Sequence, residues 1–157
     1  MGNVLIGMDP AAFCQQSRVL IVAGKGGVGK TTVTAAVALM AARAGLSTLI
    51  VEIEGKSGLP TIFGRPDTLS YQEATMVPRA GDHADVRART LTPDDALIDY
   101  LVDHGLKRVS KRLVNSGALD VVATAVPGLR DILVLGKVKS LEKSSAADLI
   151  VLDAPAA

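Results

Sequence analysis

Apolar positions along the chain fall into short continuous runs and longer spaced series, and the two patterns predict different elements. Arg18–Ala23 and Thr48–Ile53 are short, nearly continuous apolar runs, as in strands buried on both faces of a parallel sheet. Between them, Val33, Val37, Met40, Ala41 and Ala44 recur near helical spacing over Lys30–Ala44, and Gly45 supplies a stop. Strand, glycine-rich loop, helix and strand make a βαβ unit, for which a right-handed crossover is expected. Residues 54–70, broken by Gly55, Gly58, Pro60, Gly64 and Pro66, suit a functional loop with at most one short helix near 59–63. Tyr71–Val77 and Val86–Leu91 read as strands of a hairpin. Thr92-Pro93-Asp94-Asp95 then has a cap, a proline at the first helical position and acids in the first turn. The helix it opens carries Leu97, Ile98, Leu101 and Val102 on one face. A second, about 106–115, groups Leu106, Val109, Leu113 and Val114. A third, about 129–143, is opened by Pro127-Gly128, and Asp148–Asp153 closes the pattern as an apolar strand ending in an acid.

Composition narrows the classes. At 157 residues the chain suits one domain, and a net charge of +1 builds in no strong attraction to polyanions. One cysteine, Cys14, excludes an intramolecular disulfide framework and a four-cysteine zinc site. Two Tyr, two Phe and no Trp offer no stacking platform for single-stranded nucleic acid. No apolar stretch approaches the ~18 residues that a membrane span needs. Residues 1–17 read as a leader in which Pro10 breaks any early helix. Val4–Met8 is short, has no basic flank and meets Asp9-Pro10 at once, so it is no secretion signal, and a cytoplasmic location is expected. No internal repeat, low-complexity tract or interdomain linker interrupts residues 18–157.

The chemistry concentrates in Gly24-Lys25-Gly26-Gly27-Val28-Gly29-Lys30-Thr31, which satisfies G-x-x-x-x-G-K-[ST] between a predicted strand and helix. Glycines let successive backbone N–H groups turn inward around phosphate oxygens. The helix N-terminus adds partial positive charge. Gly24, Gly26, Gly27, Val28, Gly29, Lys30, Thr31 and Thr32 are therefore the candidate phosphate-binding residues for ATP. Lys30 is expected to reach the β- and γ-phosphates, and the Thr31 hydroxyl to bind Mg²⁺. Leu149-Ile150-Val151-Leu152-Asp153 has the Walker B form, four apolar residues and then an acid for magnesium-bound water. Glu54, at the carboxyl end of a predicted strand, is expected beside the phosphates. A solvated strand-end acid is its plain alternative. Glu52 is expected to point to the opposite face and is the weaker candidate.

Lys25 directly after the first glycine, and Thr32 doubling the hydroxyl, make the loop resemble the deviant Walker A motif of dimeric ATPases. Those enzymes drive arsenite pumps, target tail-anchored membrane proteins, partition plasmids or position septa. Within them, Leu49–Phe63 and Pro127-Gly128-Leu129-Arg130-Asp131 resemble the arsenite-pump and tail-anchor-targeting branch, the anion-transporting ATPases. Glu54 stands where that branch carries Asp, and Gly55-Lys56-Ser57 replaces its Pro-Ala-His. Asp153-Ala154-Pro155 is similar to its D-x-A-P switch II with one residue missing. The resemblance implies an α/β, P-loop NTPase-type three-layer sandwich with a mainly parallel sheet. Residues 18–157 would be the N-terminal part of that domain, with a helical insertion about 93–143 and truncation after the Walker B strand. A sheet ending there is expected to expose an open edge or apolar face, with association or instability unless something covers it.

The resemblance also implies Mg·ATP binding that closes a homodimer or paralogue heterodimer, slow hydrolysis that releases it, and a membrane-protein or transporter client. Lys25 would act across the dimer on the partner's nucleotide, with Lys30 and Glu54 as the other catalytic residues and Thr31 and Asp153 at the metal. Two alternatives stay open: a partition- or septum-type ATPase acting on DNA or membrane, and a truncated nucleotide-binding module without turnover. Nucleic acid is not an expected partner. Lys107-Arg108 and Lys111-Arg112 read as a solvated helix face, His83 and His104 as surface groups, and Cys14 as a small side chain near a mobile end.

Overall fold

The computed structural model describes residues 9–53, 58–66, 68–118, 121, 125 and 128–156. Its strands are β1 (Val19–Gly24), β2 (Thr48–Ile53), β3 (Ala74–Val77), β4 (Val86–Leu91) and β5 (Leu149–Ala156). Its helices are α1 (Pro10–Gln15), α2 (Lys30–Arg43), α3 (Leu59–Ile62), α4 (Pro93–Asp103), α5 (Lys107–Ser116) and α6 (Leu129–Lys143). The strands form one sheet in the order β1-β5-β2-β4-β3. β1, β5, β2 and β4 run parallel, and β3 joins β4 antiparallel through the expected hairpin. Helices cover both faces, giving the expected α/β three-layer arrangement with a mainly parallel sheet.

Strand alternation divides the core. Ile50, Val86 and Ala88 face Ala35, Ala38 and Ala42 of α2, while Leu149 and Val151 of β5 meet Ala41. The intervening residues Leu49, Val51, Ile150 and Leu152 point the other way, onto Val138 and Leu141 of α6. Alanines along α2 let that helix lie close to the sheet, which brings its N-terminus to the carboxyl ends of β1 and β5.

Pro10 starts a helix instead of breaking one. At the first helical position its missing N–H has no intrahelical acceptor to lose, and Asp9 Oδ1 accepts from the Ala11 amide at 3.3 Å. The reading of Cys14 as a group near a mobile end is therefore corrected: it is 1% exposed and packs with Ala41, Leu149 and Val151. Burial pushes its thiol pKa up. β3 is shorter than the predicted 71–77 run, because Tyr71 leaves the ladder to join a polar cluster on the α6 face. Its hydroxyl donates to Asp99 of α4, which also accepts from Lys137 Nζ of α6 at 2.6 Å. The buried Arg89 guanidinium of β4 lies 4.3 Å from the Tyr71 ring centroid. α4 begins as expected, with Thr92 Oγ1 accepting from the Asp95 amide at 3.2 Å.

Burial works against the Asp99 charge, but the hydrogen bonds from Lys137 and Tyr71 outweigh it and hold the carboxyl below its ordinary range. Tyr71 is raised, by burial first and by the Asp99 bond second. A depressed carboxyl contributes stability above its unfolded pKa, near ~4, and loses it as pH falls through the folded value. The melting-temperature gap between the native chain and Asp99→Asn should therefore narrow from about pH 6 to about pH 3. A gap that stays constant across that titration rules the tie out.

Candidate nucleotide-binding site

The loop after β1 has the backbone that its glycines permit. Gly27 and Gly29 sit at φ +78° and +87°, in the left-handed region where a side chain is strained, and a Cβ at either would meet nothing within 4 Å. Gly29 is also the N-cap of α2 and offers no side chain to bond the first-turn amides. Those N–H groups have no intrahelical acceptors either, so the helix begins with orphan donors directed at the loop. Lys30 folds back over the loop, its Nζ donating to the Lys25 carbonyl at 3.1 Å. The side chains of Lys25 and Thr32 are exposed, as is Val28. This cradle of open space, orphan amides and a lysine ammonium fits the phosphates of a nucleotide.

β5 brings the second half of the site from the far end of the chain. Thr31 Oγ1 donates to Asp153 Oδ2 at 2.9 Å. Asp153 is only 5% exposed, and its Oδ1 has no hydrogen-bond partner among the described residues. A buried carboxylate oxygen without a partner is costly unless a cation or a water completes it. Thr31 and Asp153 therefore fit Mg²⁺, which is usually held by one or two side-chain oxygens together with phosphates and waters. Beyond Asp153 the β1–β5 register shifts, pairing Val22 with Asp153 but Gly24 with Ala156. The extra residue falls at Ala154-Pro155 and carries the strand end alongside Gly26, where an added Cβ would lie 3.7 Å from that of Ala156.

The 24–31 loop and Asp153, predicted from two separate segments, thus meet at one end of the sheet. Glu54, Gly55-Lys56-Ser57 and Pro127 lie outside the described residues. Gly128 caps α6 at φ +77°. His83 is exposed and part of an isolated bridge with Ala80, while His104 Nδ1 lies 2.7 Å from the Tyr100 carbonyl. The expectation that Glu52 points to the opposite face is corrected. It is 4% exposed and pairs in register with Asp153 on one side and Thr90 on the other. In a parallel ladder paired residues share a face, so Glu52 lies on the α2 side with Asp153. Alternation alone puts positions two apart on one face, so it gave no ground for that expectation, and the relation to Asp153 needs the β2–β5 register. A groove of about 560 Å³ between α4 and α6, lined by Leu97, Tyr100 and Ile132 among others, lies on the opposite face from this chemistry.

A profile described as anion-transporting ATPase matches residues 17–157. The chain is 37% identical over 145 residues to the ATPase BagA of Mycobacterium tuberculosis, covering 88% of this chain and 42% of that protein. It is 26% identical over 134 residues to the ATPase get3 of Schizosaccharomyces japonicus, covering 85% and 39%. An uncharacterized protein of Streptomyces coelicolor is 30% identical over 146 residues, covering 89% and 34%. The chain thus spans 42% or less of the length of these curated relatives.

Replacing Thr31 by Ala leaves Asp153 Oδ2, like Oδ1, without a hydrogen bond among the described residues. The variant should lose about 1–3 kcal/mol of unfolding free energy in magnesium-free urea titrations. An unchanged denaturation midpoint would show that the Thr31–Asp153 bond contributes nothing.

Proposed function

The chain belongs to the anion-transporting ATPase family, and from that membership we propose that residues 24–32 bind the phosphates of ATP. The observation that carries this reading is the Thr31–Asp153 hydrogen bond beneath an uncapped helix N-terminus. It joins the two ends of the sequence at the one place where a triphosphate and its counter-ion fit together.

In this reading the amides of Gly26 to Thr32 receive phosphate oxygens, and the Lys30 ammonium leaves the Lys25 carbonyl for the β- and γ-phosphates. Thr31 and Asp153 hold Mg²⁺, which when bound neutralises charge on the phosphates. Lys25 is exposed, and it reaches a second protomer's nucleotide when ATP closes a dimer. There it stabilises charge that builds on the transferring phosphoryl group. Glu54 orients the attacking water, and slow hydrolysis reopens the dimer. A membrane-protein or transporter client and a cytoplasmic location complete the proposal. Among the described residues, no helix is long and apolar enough to cross a membrane.

Charge-assisted hydrogen bonds contribute about 1.5–3 kcal/mol each, so Lys30→Ala should weaken ATP binding by roughly 10- to 100-fold in titration calorimetry. Lys25→Ala should bind ATP as the native chain does while losing ATP-dependent self-association in analytical ultracentrifugation. Full ATP affinity in Lys30→Ala sinks the phosphate assignment, and unaltered self-association in Lys25→Ala sinks the action across a dimer.

A further inference from the structure

We infer that Glu52 is a second carboxylate at the magnesium end of this site, a positioning residue that holds metal-bound water beside Asp153. The inference rests on the nucleotide reading above and deepens it. β2 lies directly beside β5, with Glu52 in register with Asp153. Adjacent strands are about 4.8 Å apart, and parallel pairing turns both side chains to the same face. That is the face of α2, whose first turn already bonds Asp153 Oδ2 through Thr31. One strand further, Thr90 continues the row from β4.

The surroundings point to a ligand. Glu52, Thr90 and Asp153 are all at least nine-tenths buried, and both Thr90 Oγ1 and Asp153 Oδ1 are without a hydrogen-bond partner among the described residues. Thr34, one turn into α2 and fully buried, adds a further hydroxyl without a partner. Two acids side by side in such a place repel each other, and the unmet Asp153 and Thr90 oxygens are costly to desolvate unless a cation or its waters reach them. A divalent ion that keeps most of its waters suits the row, because its waters donate hydrogen bonds to carboxylate and hydroxyl oxygens that protein donors leave open. A purely structural acid would be indifferent to the metal.

Thermal unfolding of the native chain, Glu52→Gln and Glu52→Asp, each with ATP plus EDTA and across a MgCl₂ titration, separates these roles. Glu52→Gln should melt no lower than the native chain in ATP plus EDTA, because the repulsion is relieved. It should need about tenfold more Mg²⁺ for the half-maximal rise in melting temperature, with ATP affinity in EDTA unchanged. Glu52→Asp, which keeps the charge on a shorter arm, should recover part of that shift. Equal destabilisation with and without Mg²⁺, at an unaltered Mg²⁺ midpoint, would make Glu52 a structural acid and overturn the inference. Absence of any ATP-dependent shift in the native chain would instead overturn the nucleotide reading, and this one with it.

Discussion

The insertion of β5 between β1 and β2 is the constraint on which the rest of the molecule depends. The last described strand in sequence pairs in parallel with both of the earliest ones, so the sheet cannot close until the chain has returned across most of its length. Asp148 fastens the start of that strand by accepting from both the amide and the hydroxyl of Ser47 at 2.9 Å. Ile150 then donates to the Arg18 carbonyl at 2.8 Å on the other side. Register is as important as pairing, because a slip of one residue would turn every β5 side chain to the opposite face. Leu149, Val151 and Asp153 would then face α6, and Thr31 would lose a partner 122 positions away. The acid at the end of β5 is placed by the apolar residues before it, which leave the strand a single stable orientation.

The two sheet faces solve different problems. On the α2 face, alanines allow close approach, and close approach is what aims a helix N-terminus at the loop. On the α6 face, packing is completed by the Tyr71, Asp99, Lys137 and Arg89 cluster, which ties α4 and α6 to β4 and to the segment before β3. That cluster is consistent with a structural role: its charges have partners, and its centre is covered by helices. The loop face keeps orphan donors and an acceptor without a partner. On the α6 side the nitrogens without a hydrogen bond, Arg87 Nε and Arg89 Nε, belong to guanidinium groups that are ion-paired or stacked on Tyr71, whereas the α2 side leaves oxygens open.

Legibility from sequence followed the range of the interactions. Elements built on local periodicity and local caps were readable: α2 from its 3-4 spacing, α4 from Thr92-Pro93, α6 from Gly128, and the β3–β4 hairpin from two runs separated by turn residues. The loop at 24–31 was readable because its chemistry is written in consecutive residues. Features that depend on what comes to lie alongside were not. Cys14 looked peripheral because its neighbours Leu149 and Val151 are more than a hundred positions away. Glu52 looked secondary because its relation to Asp153 exists only through the β2–β5 register. Tyr71 was assigned to a strand by propensity, and its bond to Asp99 took it out of the ladder. Pro10 was misread locally, since the same residue that ends a helix in its interior is well suited to begin one.

Buried polar atoms are nearly always paired in native proteins, so those left without a partner are informative about purpose. Arg87 Nε, formally without a hydrogen bond, still lies 2.9 Å from Asp85 Oδ2 in an ion pair, and Arg89 stacks on Tyr71. Thr34, Thr90 and Asp153 have no such substitute for their remaining oxygens, and they belong to α2 or to the sheet face that α2 covers. Valine would fill the space of either threonine without an unmet hydroxyl, and an apolar residue at 153 would remove a buried charge. Selection for stability alone therefore favours other residues at all three positions. Their concentration beneath an uncapped helix, where the loop glycines hold open space, is a conflict between local stability and local chemistry of the kind that marks a binding site. A ligand that is anionic toward the helix and cationic toward the carboxylates resolves both halves of that conflict at once.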